Sequence, residues 1–146
     1  MKKNGAKKEF QVPSLLSEVQ KTSERVLLFL KPLALTEALS FDIRLCLEEA
    51  LINAMKYGNK LKADLKVKLE VEFVAGEIRI TIEDQGEGFD HKNLKDCTRE
   101  NNLLRNGGRG VYLIHQLMDQ VAYNTKGNRL VMVKFLKNAA STFAKG

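Results

Sequence analysis

The chain has 146 residues, with 24 Lys and Arg against 18 Asp and Glu and a formal net charge of +6. A single domain of about that length buries roughly 68–70% of its unfolded surface, so it needs no disulfide or structural metal. Its 44% apolar and 29% charged residues exclude the disordered and collagen-like classes. No apolar run approaches the roughly 18 residues of a membrane span, and Glu9 to Ser14 form no apolar leader core. A cytoplasmic protein without membrane contact is therefore expected.

Four of the basic residues, Lys2, Lys3, Lys7 and Lys8, fall in the first eight positions, where there is no acid. The excess charge thus reads as a solvated tail, and direct nucleic-acid binding is not expected. Cys46 and Cys97 stand 51 positions apart without a metal-ligand or redox spacing. Cys46 falls inside an apolar helical pattern and is a core candidate.

In chain order, Phe10 to Pro13 read as a short strand, and Ser14 as the N-cap of a first helix whose apolar positions include Leu15, Leu16, Val19, Val26, Leu27 and Leu30. Pro32 stops that pattern. A second helix starts near Thr36 or Ser40 and carries Ile43, Leu47, Ala50, Leu51 and Ala54 as a buried stripe, with Gly58-Asn59 as its stop. From Lys66 the period becomes two, with Val67, Leu69, Val71 and Phe73 on one face; Ala75-Gly76 then turns into Glu77 to Asp84, where Ile78, Ile80 and Ile82 alternate with polar residues. Residues 85 to 109 form a long Gly- and Asn-rich connection, of the kind that tends to be functional. Gly110 opens a third helix with Val111, Ile114, Leu117 and Met118 buried, and strands near Gln120 to Asn124 and Arg129 to Leu136 close the fold. The expected architecture is a two-layer α/β sandwich, its mostly antiparallel sheet having helices on one face and water on the other. The expected divisions are a basic tail at 1–8, one domain at 9–137 and a second tail at 138–146.

Three segments carry chemistry. In EEALINAMKYGN, Glu48 to Asn59, the i, i+4 pair Glu49 and Asn53 projects together, whereas Glu48 points about 140° away from Asn53. A carboxylate beside an amide can hold Mg²⁺ and take a proton from a nucleophile, or be a plain surface hydrogen-bonded pair. In IEDQGEGFD, Ile82 to Asp90, Asp84 continues the inward-facing series of isoleucines. A buried carboxylate requires a cation, donors or a ligand, and donors on a purine ring would serve. Gly86 and Gly88 permit a sharp turn and close approach to a ligand; the alternative is an ordinary turn closed by an Asx bond. In RNGGRGVYLIHQLMD, Arg105 to Asp119, Gly107, Gly108 and Gly110 precede an amphipathic helix. Its N-terminus, with Arg105 and Arg109, could cradle phosphates. His115, with Tyr112 and Asp119, lies on the polar face of that helix and reads as solvated.

In type, order and spacing these segments resemble the N, G1 and G2 boxes of the GHKL (Bergerat-fold) ATPases, and in particular the small anti-sigma-factor serine-protein kinases of the RsbW type. The resemblance spans roughly residues 9 to 137 and leaves no sensor or dimerisation domain of a histidine kinase attached. It implies ATP and Mg²⁺ as cofactors, Glu49 as the base that deprotonates the attacking hydroxyl, and Asn53 as the Mg²⁺ ligand. It further implies that Asp84 receives the adenine amino group, that Gly86 and Gly88 shape the adenine pocket, and that Gly108 and Gly110 bind phosphate through backbone N–H groups. Arg105 or Arg109 would supply the arginine and residues 91 to 109 the lid. Tyr57 stands where the family often has His, and Gly127-Asn128-Arg129 where it frequently has Thr, a role for which Asn128 could substitute. The implied function is a serine-protein kinase and partner switch that phosphorylates a STAS-domain antagonist and holds a sigma factor or comparable regulator. An ATP- or ADP-binding interaction module without kinase activity is the alternative. A homodimer is a further implication, for which the Val26-Leu27-Leu28-Phe29-Leu30 run could offer apolar surface; the same run could equally be buried within the monomer.

Overall fold

A computed structural model of the protein describes residues 5–86 and 108–136. Gly88, Arg105, His91, Cys97, both chain ends and the expected lid up to residue 107 lie outside the described residues, as does the Arg109 side chain.

The alternating sequences pair into one antiparallel sheet of order β1-β2-β3-β5-β4, formed by β1 (Ala6–Pro13), β2 (Lys66–Val74), β3 (Glu77–Glu83), β4 (Gln120–Tyr123) and β5 (Arg129–Phe135). Val67, Leu69, Val71, Ile78, Ile80 and Ile82 are buried, while Lys68, Glu70, Thr81, Glu83 and Arg129 line a shallow groove on the opposite, wet face. Ala75 and Gly76 both have positive φ, 51° and 84°, the backbone that a two-residue hairpin requires.

Three helices, α1 (Ser17–Phe29), α2 (Glu37–Asn53) and α3 (Gly108–Leu117), provide the other layer. Thr36 caps α2 by accepting the Leu39 N–H at 3.1 Å. The α2 stripe is sealed against the sheet: Ile43, Leu47 and Leu51 have no exposed surface. Cys46 is equally buried, as expected, and burial pushes its thiol up to about 12. Truncating one of these leucines to Ala would cost about 2–5 kcal/mol. A π-helical turn, Ala54–Gly58, extends α2 before the chain leaves for β2. No helix among the described residues is long and apolar enough to cross a membrane.

Several boundaries differ from the sequence expectation. β1 starts at Ala6, so Lys7 and Lys8 belong to the sheet, paired with Glu72 and Val71, rather than to a tail. Ser14 is not a helix cap: its hydroxyl is buried and donates to the Leu65 carbonyl at 2.7 Å, and α1 begins after Leu16 without a side-chain cap. Of the apolar run at the end of α1, Val26 and Leu30 are core, whereas Leu28 is 68% exposed. The third helix begins at Gly108, two residues before the expected start.

Candidate functional site

The two adjacent glutamates of α2 have different surroundings. Glu48 accepts hydrogen bonds from the Ser23 hydroxyl at 2.5 Å and from Arg44 Nε at 3.0 Å, tying α1 to α2. Glu49 forms no hydrogen bond or ion pair among the described residues. It is half-buried, one turn before Asn53, and both face the first turn of α3. A Cβ at Gly110 would stand 2.5 Å from Glu49 Oε1 and 3.2 Å from Asn53 Nδ2. A side chain at position 110 would push the end of the Glu49 side chain aside, so glycine there lets the two groups approach the α3 backbone closely. The partly positive end of a helix therefore faces a carboxylate and an amide, a favourable disposition for negative charge.

Asp84 lies at the end of β3, 8% exposed, on the face of the buried isoleucines. Two hydrogen bonds to Asn128 fix its backbone: Asp84 N donates to the Asn128 carbonyl and Asn128 Nδ2 donates to the Asp84 carbonyl, each at 2.9 Å. Its Oδ1 accepts the Gly86 N–H at 2.8 Å. The Asx bond offered as the plain alternative is thus present, and it occupies one carboxylate oxygen only. Burial pushes the Asp84 carboxyl up from its ordinary value of 3.8, with the Gly86 N–H and the Lys126 charge pulling in the opposite direction. The carboxyl group rests on Gly58, where a Cβ would overlap its Cγ and Oδ2. Gly86 is needed for a related reason, since its Cβ would overlap the Gly58 carbonyl oxygen. The close approach at Gly86 is made to the Gly58 carbonyl, where the π-helical turn that extends α2 ends.

One fully buried side chain links these parts. Asn59 Oδ1 accepts the Gln85 N–H at 2.8 Å, and Asn59 Nδ2 donates to Ser14 Oγ at 2.9 Å and to the Lys66 carbonyl at 3.1 Å. The amide uses both its donors and its acceptor across three segments.

Of the expected site residues, the structure brings Glu49 and Asn53 together with Gly110, and Asp84 together with Gly86. Gly108 is the first residue of α3. His115 is exposed, as expected for a solvated position. Gly58, Asn59 and Gln85 were missed as parts of the site. Gly58 and Asn59 fall inside the first chemistry-bearing segment but read individually as a helix stop, and nothing local in the sequence says which carboxylate rests on that glycine.

An antiparallel sheet covered on one face by helices, with a carboxylate and an amide on one helix facing the glycine-opened start of another, defines an ATPase domain of the GHKL type. The chain belongs to this family: the family described as histidine kinase-like ATPase domain matches residues 11–134. Among curated proteins it is similar to the serine-protein kinase RsbW of Staphylococcus epidermidis, 35% identical over 104 residues, or 66% of this chain and 65% of that protein. The proteins of the same name from Staphylococcus aureus strains bovine RF122 / ET3-1 and MSSA476 are 33% and 32% identical with the same coverage. The chain thus spans 65% of the length of these relatives. The family resemblance carried by the three sequence boxes agrees with both findings.

Proposed function

We propose that the protein is an ATP-dependent serine-protein kinase that acts as an anti-sigma-type partner switch and phosphorylates a STAS-domain antagonist. The observation that carries this reading is the joint approach of Glu49 and Asn53 to Gly110 at the start of α3. It supports the reading because a carboxylate, an amide and a helix N-terminus lie close together, groups suited to positioning and charge stabilisation in phosphoryl transfer. Gly58 lies nine positions after Glu49 along the helical chain, about 13 Å of rise. A ligand touching both ends must be elongated, with an anionic end at Gly110 and a hydrogen-bond donor at Asp84. ATP has this form.

In the proposed reaction Glu49 takes the proton of the partner's serine hydroxyl. The serine oxygen bonds to the γ-phosphorus as the bond from that phosphorus to the ADP oxygen breaks. Asn53 is the residue that would hold Mg²⁺, through its amide oxygen, a hard ligand suited to that ion. When bound, the ion neutralises charge on the phosphates. Gly108 and Gly110 offer backbone N–H groups to the same phosphates, and Arg105 or Arg109 is assigned the added positive charge. Asp84 takes the adenine amino group, with Gly86 and Gly88 assigned to shape the pocket around the base. The names of the relatives, serine-protein kinase RsbW, support the reaction type, and the STAS partner, the sigma factor and a homodimer follow from the family resemblance.

The test is incubation with Mg²⁺ and γ-labelled ATP together with STAS-domain proteins encoded near its gene. A stable phosphoserine on one of them, absent with Glu49→Ala, is the expected result. ATP binding without transfer to any of them would assign the chain to the binding-only alternative.

A further inference from the structure

Asp84 is held against Gly58 by contacts that neither residue makes alone. Residue 59 follows Gly58, and residue 85 follows Asp84; the hydrogen bond from Gln85 N to Asn59 Oδ1, at 2.8 Å, joins the two neighbours. The π-helical turn and the end of β3 are thereby clamped one residue away from the place where the Gly58 backbone meets the Asp84 carboxyl group. The other side of the amide is anchored at Ser14, after β1, and at Lys66, the first residue of β2. Lys66 in turn donates its N–H to Gln85 Oε1 at 2.6 Å, which closes a ring of hydrogen bonds through Asn59, Lys66 and Gln85. Asn59 has no exposed surface, so water cannot replace these partners.

We propose that Asn59 is the positioning residue of the nucleobase end of the site: its amide sets the separation of α2 from the end of β3, and with it where the free oxygen of Asp84 meets a donor on the base. This rests on the reading of the site as one for ATP. Asn59 acts through Asp84 and does not itself touch the nucleotide. A purely architectural Asn59 would affect stability alone. A positioning Asn59 governs how the site distinguishes a base that offers an amino group from one that offers a carbonyl at the same position.

The experiment compares the full chain with Asn59→Ala and Asn59→Asp by calorimetry at a temperature below every thermal midpoint, with Mg²⁺ and ATP, GTP or inorganic tripolyphosphate. Asn59→Asp keeps the acceptor for Gln85 N–H while losing both donors, and serves if Asn59→Ala does not fold. In Asn59→Ala we expect ATP affinity to fall about tenfold or more and the preference for ATP over GTP to shrink. Tripolyphosphate affinity should stay within about twofold of wild type, since the Glu49 and Gly110 end is untouched. Asn59→Asp should keep more of the ATP preference than Asn59→Ala, or, where only the former folds, should lose less than tenfold of it. An unchanged ATP-over-GTP ratio in every folded variant, with only the melting temperature lowered, overturns the inference. Equal losses for ATP and tripolyphosphate overturn it too, because they would mean a general distortion. A wild-type chain that binds no adenine nucleotide overturns the reading of the site, and the inference with it.

Discussion

Gly58→Ala tests the contact between α2 and the carboxylate directly, because two physical effects of opposite sign meet there. Gly58 ends a π-helical turn and has no positive φ, so alanine is conformationally permitted and on backbone grounds should stabilise the fold by about 0.5–1 kcal/mol. The added Cβ, however, would overlap Asp84 Cγ and Oδ2 and stand 2.6 Å from Oδ1. Asp84 has little room to yield, being 8% exposed, hydrogen-bonded to Gly86 and fixed in its backbone by Asn128. Overpacking of this kind costs about 1–3 kcal/mol. The net expectation is a loss of about 1–2 kcal/mol, a fall in melting temperature of about 2–8 °C for a domain of this size. In an Asp84→Ala background the obstacle is gone, and the same substitution should raise the midpoint by about 1–4 °C. Four melting curves, for wild type, both single variants and the double variant, give the coupling, expected near 2 kcal/mol. Additivity within about 0.5 kcal/mol would refute the contact.

Further expectations separate the roles of individual residues. Glu49→Gln should lower phosphate transfer by about 10²–10⁴-fold while leaving ATP affinity unchanged; Glu48→Gln, at the side chain bonded to Ser23 and Arg44, should change stability and not transfer. Burial raises the Asp84 carboxyl above its ordinary 3.8, so the folded state binds this proton more readily than the unfolded chain. Its contribution to stability is complete below pH 3.8 and is lost as pH rises through the folded value. Asp84→Asn should therefore gain stability over wild type as pH rises through that window while losing nucleotide binding, and parallel melting curves from pH 3 to 8, showing no such divergence, would contradict the burial argument. Cys46, with no exposed surface and its thiol pushed up to about 12, should resist alkylation at pH 8 in the folded protein and react on denaturation, as mapped by mass spectrometry. Modification at the same rate in both states would show that the core at α2 opens freely.

The alternation of apolar residues made the sheet legible because each strand has one wet face. Ile78, Ile80 and Ile82 announce the inward side of β3, and the same count carries Asp84 to the helix layer. Strand and helix ends were less legible. Lys7 and Lys8 look like a solvated tail, yet they sit on an edge strand where their side chains stay exposed while the backbone pairs with β2. Ser14 has the composition of a helix cap, but the turn from β1 brings it to the Leu65 carbonyl, a partner 51 residues away that no local pattern indicates.

The site divides in the same way. Glu49 could be preferred over Glu48 from helix geometry alone, because the angle to Asn53 distinguishes them, and the structure gives Glu48 its own partners on α1. Gly58 lies in the first of the three segments, but its own role could not be read there, since a glycine that makes room for another side chain leaves no trace in periodicity. Its meaning depends on the packing of α2 against the end of β3. Asn59 is similar: its three hydrogen bonds join residues far apart in the chain. The separation of the two ends of the site along α2 also explains why the predictions divide. Changes at Gly58, Asn59 or Asp84 move the end proposed to recognise a base, about 13 Å of helical rise from Glu49, so they should act on affinity and selectivity. Changes at Glu49 leave that end in place, so they should act on the rate of transfer.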